Sequence, residues 1–179
     1  MSKILLISGR EVDPFEMTID DLDIMDIAHS LSMQCRYAGH IPTFYSVAEH
    51  CVRTVELMAE EAELSYEELR GHRVARSLLL HDADEAYLQD LVNPVKSRPE
   101  MEAYRDAGDR IHALVVEKYD CLDLDDDRQH AKVVKGYDKL AYEAERTNIR
   151  TGRAQGFSQP EAYAAFIGMW YLLRPSDFG

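Results

Sequence analysis

The chain has 179 residues, 46% of them hydrophobic, and a formal net charge of -13. That composition excludes a disordered chain, and the acidic balance argues against general binding to nucleic-acid polymers, which needs a basic surface. The length predicts a single domain over residues 1–179, with room for a sizeable core.

No apolar run reaches the roughly 18 residues of a membrane span, so no membrane partner is expected. The start, MSKILLISGREVD, is too short and too polar for a leader peptide. Cys35, Cys51 and Cys121 are odd in number and lack CxxC spacing, which predicts a reduced, cytoplasmic setting without disulfides. The acidic runs EEAELSYEE (60–68) and DLDDD (123–127) read as solvated helix ends and loops.

In chain order, KILLISG followed by REVDPF predicts a short β-hairpin turning at Ser8-Gly9. Ile24, Ile27, Ala28 and Leu31 recur at helical spacing, giving a helix over about residues 23–35. After the loop RYAGHIPTF, a helix over about 45–62 carries the stripe Val47, Cys51, Val55 and Met58. Ser65 with Glu68 has the form of a capping box. One long helix is predicted over about 72–90, stopping at Asn93-Pro94. Helices over about 100–118 and 128–150 follow, and a last one is capped by Ser158 and Glu161. It carries Phe166, Trp170, Tyr171 and Leu172, either as core or as a subunit contact. The fold class is mainly α, a helical bundle with a minor hairpin.

The stretch LLLHDADEAYLQD (78–90) interrupts an apolar stripe with charge. Val74, Leu78, His81, Asp82 and Glu85 share one helical face. Burying two carboxylates and an imidazole without compensation costs several kcal/mol each, so a partner charge is expected. His50 sits beside the Val47/Cys51 stripe, and Asp138 lies on the line Val134, Asp138, Ala141, Glu145. Two imidazoles and two carboxylates, His50, His81, Asp82 and Asp138, suit one divalent transition metal such as Zn, Co or Mn. His29, His40, His72, His112 and His130 read as structural or surface histidines.

These residues resemble the HD superfamily of metal-dependent phosphohydrolases, whose order is a His, a His-Asp pair on the next long helix, and a distal Asp. The chain is similar to the compact branch with bacterial 5'-deoxynucleotidases, phage and prophage HD hydrolases and phage dATP triphosphohydrolases. The shared order is Arg36-Tyr37, Ser46 with His50, His81-Asp82 with Glu85, then Asp90, Pro94 and Lys96. Ala86 after Glu85 departs from the alarmone hydrolases, which carry an Asp there. The Gly-Tyr-Pro signature of cyclic-dinucleotide members is absent.

The resemblance implies an HD-type fold and a small-molecule nucleotide substrate, with a homo-oligomer, dimer or hexamer. Water activated by the metal would hydrolyse a phosphoester of a deoxynucleotide, either a triphosphate such as dATP or a 5'-monophosphate. Glu85 would serve as general acid/base beside the ligand Asp82, or else only steady His81. Arg36 and Lys96 would neutralise phosphate. Tyr37 either stacks on the base or belongs to the core, and Asp90 either binds the sugar hydroxyl or caps its helix. The alternative is a nucleotide-binding regulator of HD type without turnover.

Overall fold

Residue patterning is converted into a helical bundle around one central helix. In a computed structural model, residues 3–122, 128–150, 156–176 and 178 are described, with side chains of the 128–150 helix from 131 to 148. The acidic run 123–127 and the side chain of His130 lie outside the described residues. The hairpin forms as expected, with β1 (Ile4–Leu5) antiparallel to β2 (Glu11–Val12). Gly9 in its turn takes φ +84°, where a side chain would be strained.

The helices are α1 (Ile24–Met33), α2 (Val47–Glu61), α3 (Tyr66–Leu69), α4 (Arg73–Leu79), α5 (Glu85–Leu88), α6 (Asn93–Lys96), α7 (Glu102–Tyr119), α8 (Arg128–Arg150) and α9 (Gln159–Leu173). Among the described residues the architecture is thus mainly α with one hairpin. No helix there is long and apolar enough to cross a membrane.

Helix α2 starts where the Ser46 side chain accepts from the Glu49 amide, and it packs against α1, α4, α8 and α9. Its apolar stripe of Val47, Cys51, Val55 and Met58 is buried as the spacing predicts. Each such side chain contributes about 1.5–3 kcal/mol by leaving water. Surrounded this way, α2 carries His50 into the interior. The capping boxes of Ser65 with Glu68 and Ser158 with Glu161 both form. Residues 60–68 are solvated apart from the half-buried Leu64. Phe166 and Trp170 belong to the core, Leu172 packs on it, and Tyr171 faces solvent.

The predicted continuous helix over 72–90 does not form. Helix α4 ends at Leu79, and the next amides bond three residues back: Ala83 to Leu80, Glu85 to Asp82 and Ala86 to Ala83. The break has a local cause. His81 Nδ1 lies 2.6 Å from the Leu78 carbonyl, the group that would accept from the Asp82 amide in a continuous helix. Asn93-Pro94 likewise opens α6 rather than stopping the preceding helix. Proline at the start of a helix forfeits no ladder bond, because the first amides have no partner there.

Candidate metal centre

The break at Leu80 creates the centre. Adjacent residues of an α-helix point about 100° apart, which splays His81 and Asp82 toward the two edges of a shared face in a regular turn. Tightened, the turn brings His81 Nε2 and Asp82 Oδ2 to 3.3 Å. From α2, His50 Nε2 comes within 3.3 Å of His81 Nε2 and 3.8 Å of Asp82 Oδ2. From α8, Asp138 Oδ1 lies 3.1 Å from His50 Nε2 and 3.7 Å from His81 Nε2.

The ligand atoms of His50, His81 and Asp82 lie within 4.8 Å of one another, and this group could hold a metal ion. Donors about 2.0–2.2 Å from a shared ion stand about 3–3.5 Å apart at tetrahedral or octahedral angles. Three of the five separations above fall in that range, and the other two, 3.7 and 3.8 Å, lie just beyond it. Hydrogen bonding points the same way. His50 Nδ1 is 2.5 Å from Glu145 Oε1, and His81 Nδ1 faces the Leu78 carbonyl. Both partners are acceptors, so each Nδ1 donates its proton outward and each Nε2 faces inward, where it can offer a lone pair to a cation that displaces any proton held there. Two lone pairs and two carboxylates then converge, an arrangement stable only around positive charge, a proton or a cation.

Burial works against charge on Asp82 and Asp138, but the imidazoles hold both carboxyls below their ordinary values, with Arg36 adding to the effect on Asp82. Desolvation opposes protonation of His81, yet Asp82 and Asp138 raise its pKa. The acids are therefore ionised at neutral pH, and the cluster attracts cations.

The other expected site residues gather beside this point. A cavity of about 660 Å³ is lined by Arg36, Tyr37, Asp82, Glu85, Asp90, Asp138, Lys139, Tyr142 and the segment Leu91–Pro94. Glu85 is 5% exposed, and its carboxyl is pushed up to about 9, first by desolvation and then by Asp82 and Asp90. Its Oε1 lies 3.4 Å from Lys96 Nζ, while Oε2 has no hydrogen-bond partner among the described residues. Lys96 thus reaches the site through Glu85 and is not on the cavity wall.

Arg36 bridges Asp82 at 3.6 Å and Glu145 at 3.4 Å. Tyr37 donates from its hydroxyl to Glu145 Oε2 at 3.2 Å. Asp90 does not cap a helix. Its amide donates to Gln34 Oε1, and its side chain is half-buried at the cavity.

Two residues escape the sequence reading. Glu145 collects His50, Arg36, Tyr37 and Tyr45, the last at 3.0 Å. Burial disfavours its charge, but His50 and Arg36 hold its carboxyl below the usual range. Its signal was its place on the buried α8 stripe after Val134, Asp138 and Ala141. Gln34 latches the segment that holds α5, donating to the Glu85 carbonyl at 2.9 Å and accepting from the Asp90 amide at 2.9 Å. An isolated glutamine at a helix end gave no signal.

No family model matches the chain. It is 39% identical over 119 residues to an uncharacterized protein, YfdR, of Escherichia coli (strain K12), covering 66% of this chain and 59% of that one. It is 37% identical over 112 residues to an uncharacterized protein of Rhodobacter capsulatus, covering 62% of this chain and 54% of the relative. The chain therefore spans under two thirds of the length of either relative.

Proposed function

We propose that the protein is a metal-dependent phosphohydrolase of HD type acting on deoxynucleotides, and that His50, His81, Asp82 and Asp138 hold one divalent transition metal, Zn, Co or Mn. The observation that carries this reading is the convergence of four acceptor atoms from α2, the α4–α5 turn and α8, beside a cavity with room for a nucleotide. A divalent cation held there supplies Lewis acidity toward a phosphoryl oxygen and lowers the pKa of a water.

The protein's own groups do the rest. Burial and Asp82 push the Glu85 carboxyl up to about 9 in the metal-free protein, which favours its proton-bearing form, and it lines the cavity with one oxygen that has no hydrogen-bond partner among the described residues. It donates its proton to the leaving oxygen, which otherwise departs as a poor alkoxide. Lys96, against Oε1, fixes the carboxyl and recovers part of the charge once the proton has gone. Arg36 holds Asp82 and offers its remaining donors to phosphate.

Of the two substrate lengths, the charges favour a 5'-monophosphate. The wall carries Asp82, Asp90 and Asp138 against Arg36 and Lys139, and each further phosphate adds anionic charge to an acidic site. Asp90 is placed to accept from a sugar hydroxyl. A homo-oligomer, dimer or hexamer, belongs to the same proposal.

Incubation with deoxynucleoside mono- and triphosphates and Mn²⁺, Co²⁺ or Zn²⁺ tests it, run beside Glu85→Ala. Release of deoxynucleoside by the wild type is expected, with a loss of about 10²–10⁴-fold in kcat for the variant and metal retained. Tight nucleotide binding without product would support the regulator instead.

A further inference from the structure

The cavity beside the candidate metal centre is lined by aromatic and aliphatic side chains as well as charged ones, and only the charged ones are used above. Tyr37, Tyr142, Leu91, Val92 and Pro94 are among its lining residues. Tyr142 stands one helical turn after Asp138 on α8, so the two side chains share a face. Its ring is tilted 32° against that of Tyr37, with centroids 5.9 Å apart, and remains 40% exposed. An open tyrosine beside buried charge is surface that still has apolar area to lose.

The backbone bears a cost to keep this pair. Tyr37 has φ +59° and Ala38 φ +51°, followed by Gly39 at +75°. Left-handed φ is unfavourable for a bulky side chain, and such strain persists where surrounding contacts over-determine it. Here the Tyr37 hydroxyl is tied to Glu145, and the guanidinium of Arg36 lies 5.7 Å from the Tyr37 centroid. The loop is bent so that its aromatic ring joins one from α8. At 5.9 Å the two rings touch each other and leave no slot between them. They act as one wall.

We infer that Tyr142, backed by Tyr37, is the nucleobase-contacting wall of the site and sets its preference for substrates that carry a heteroaromatic base over bare sugar phosphates. This inference rests on the phosphohydrolase reading. With the phosphate at the Asp138 end of the face, the base of a nucleotide falls one turn along α8, against Tyr142. Leu91, Val92 and Pro94 line the same cavity and add apolar surface for the ring.

The test compares wild type, Tyr142→Ala and Tyr142→Phe in steady state with Mn²⁺, on a deoxynucleoside 5'-monophosphate and on 2-deoxyribose 5-phosphate. For Tyr142→Ala, KM for the nucleotide rises about tenfold with kcat nearly kept, the scale of one lost base–aromatic stack. The rise on the sugar phosphate is several-fold smaller, so the ratio of the two kcat/KM values falls. Tyr142→Phe keeps the ring and restores the ratio. An equal loss on both substrates would make Tyr142 a support for Asp138 and overturn the inference, as would no loss at all. A wild type that cleaves the sugar phosphate but no nucleotide overturns the base wall while leaving a hydrolase. One that cleaves neither, nor a deoxynucleoside triphosphate assayed beside them, removes the phosphohydrolase reading and the wall with it.

Discussion

Glu145 shows how a candidate metal site depends on residues outside the set that would hold the ion. Its carboxylate fixes the His50 tautomer from one side and neutralises Arg36 on the other. Replacing it by Gln leaves a group of the same shape with weaker pull on the Nδ1 proton. Glu145→Gln should lower metal affinity about 10–100-fold, measured by competition with a chelator; unchanged affinity would reduce Glu145 to packing. Glu85 makes the second prediction at this scale. A proton donor works only below its pKa, so kcat should fall as pH rises through the Glu85 value. That value is about 9 in the metal-free protein, and a neighbouring dication brings it down. Glu85→Gln, which cannot titrate, should lose this alkaline limb of the kcat profile. His50, His81, Asp82 and Asp138 were legible because each places a polar group on an apolar stripe, an expense that asks for a reason. Glu145 and Gln34 were not. Their roles arise only where α8 meets α2 and where α1 meets the α4–α5 segment, and neither meeting is a local property.

At the scale of elements, periodicity located most helices to within a few residues, and the caps at Ser65 and Ser158 formed as their spacing required. The error over 72–90 is instructive. Apolar spacing continues through Leu78–Leu80 into Ala83 and Ala86, so nothing in the pattern marks a break. The cause is a side chain, His81, bonding its own backbone. Had the helix continued, His81 and Asp82 would diverge. The seat of α9 is similarly specified by backbone. The amide of Phe157 donates to Glu49 Oε2 at 2.7 Å, and a Cβ at Gly156 would collide with the Phe44 carbonyl. Gly136, inside α8, has nothing within 4 Å of such a Cβ. Gly136→Ala should therefore raise stability by about 0.5–1 kcal/mol, whereas Gly156→Ala should lower the Tm. Thermal unfolding of both variants checks the pair; equal shifts would contradict it.

The whole molecule carries a formal charge of -13, and the cavity wall adds its own cluster of acids. An anion enters such a site only if a local positive charge outweighs the field. That couples the two halves of the proposal, because a cation that relieved the converging acceptors would also admit phosphate. Composition anticipated a globular chain, and helical periodicity a mainly α one. They left open the surplus apolar surface near the C-terminus. Phe166 and Trp170 prove to be core, and the exposed apolar side chains include Leu5, Ile7 and Met33 near the hairpin.

Calorimetric titration of the chelator-treated protein with Mn²⁺ bears on the central claim most directly, with His81→Ala and Asp138→Ala measured alongside. The account predicts one ion per chain for the wild type and severely weakened binding in both variants, with each still folded by circular dichroism. Wild-type protein that takes up no Mn²⁺, Co²⁺ or Zn²⁺, or variants that bind as tightly as the wild type, would contradict it.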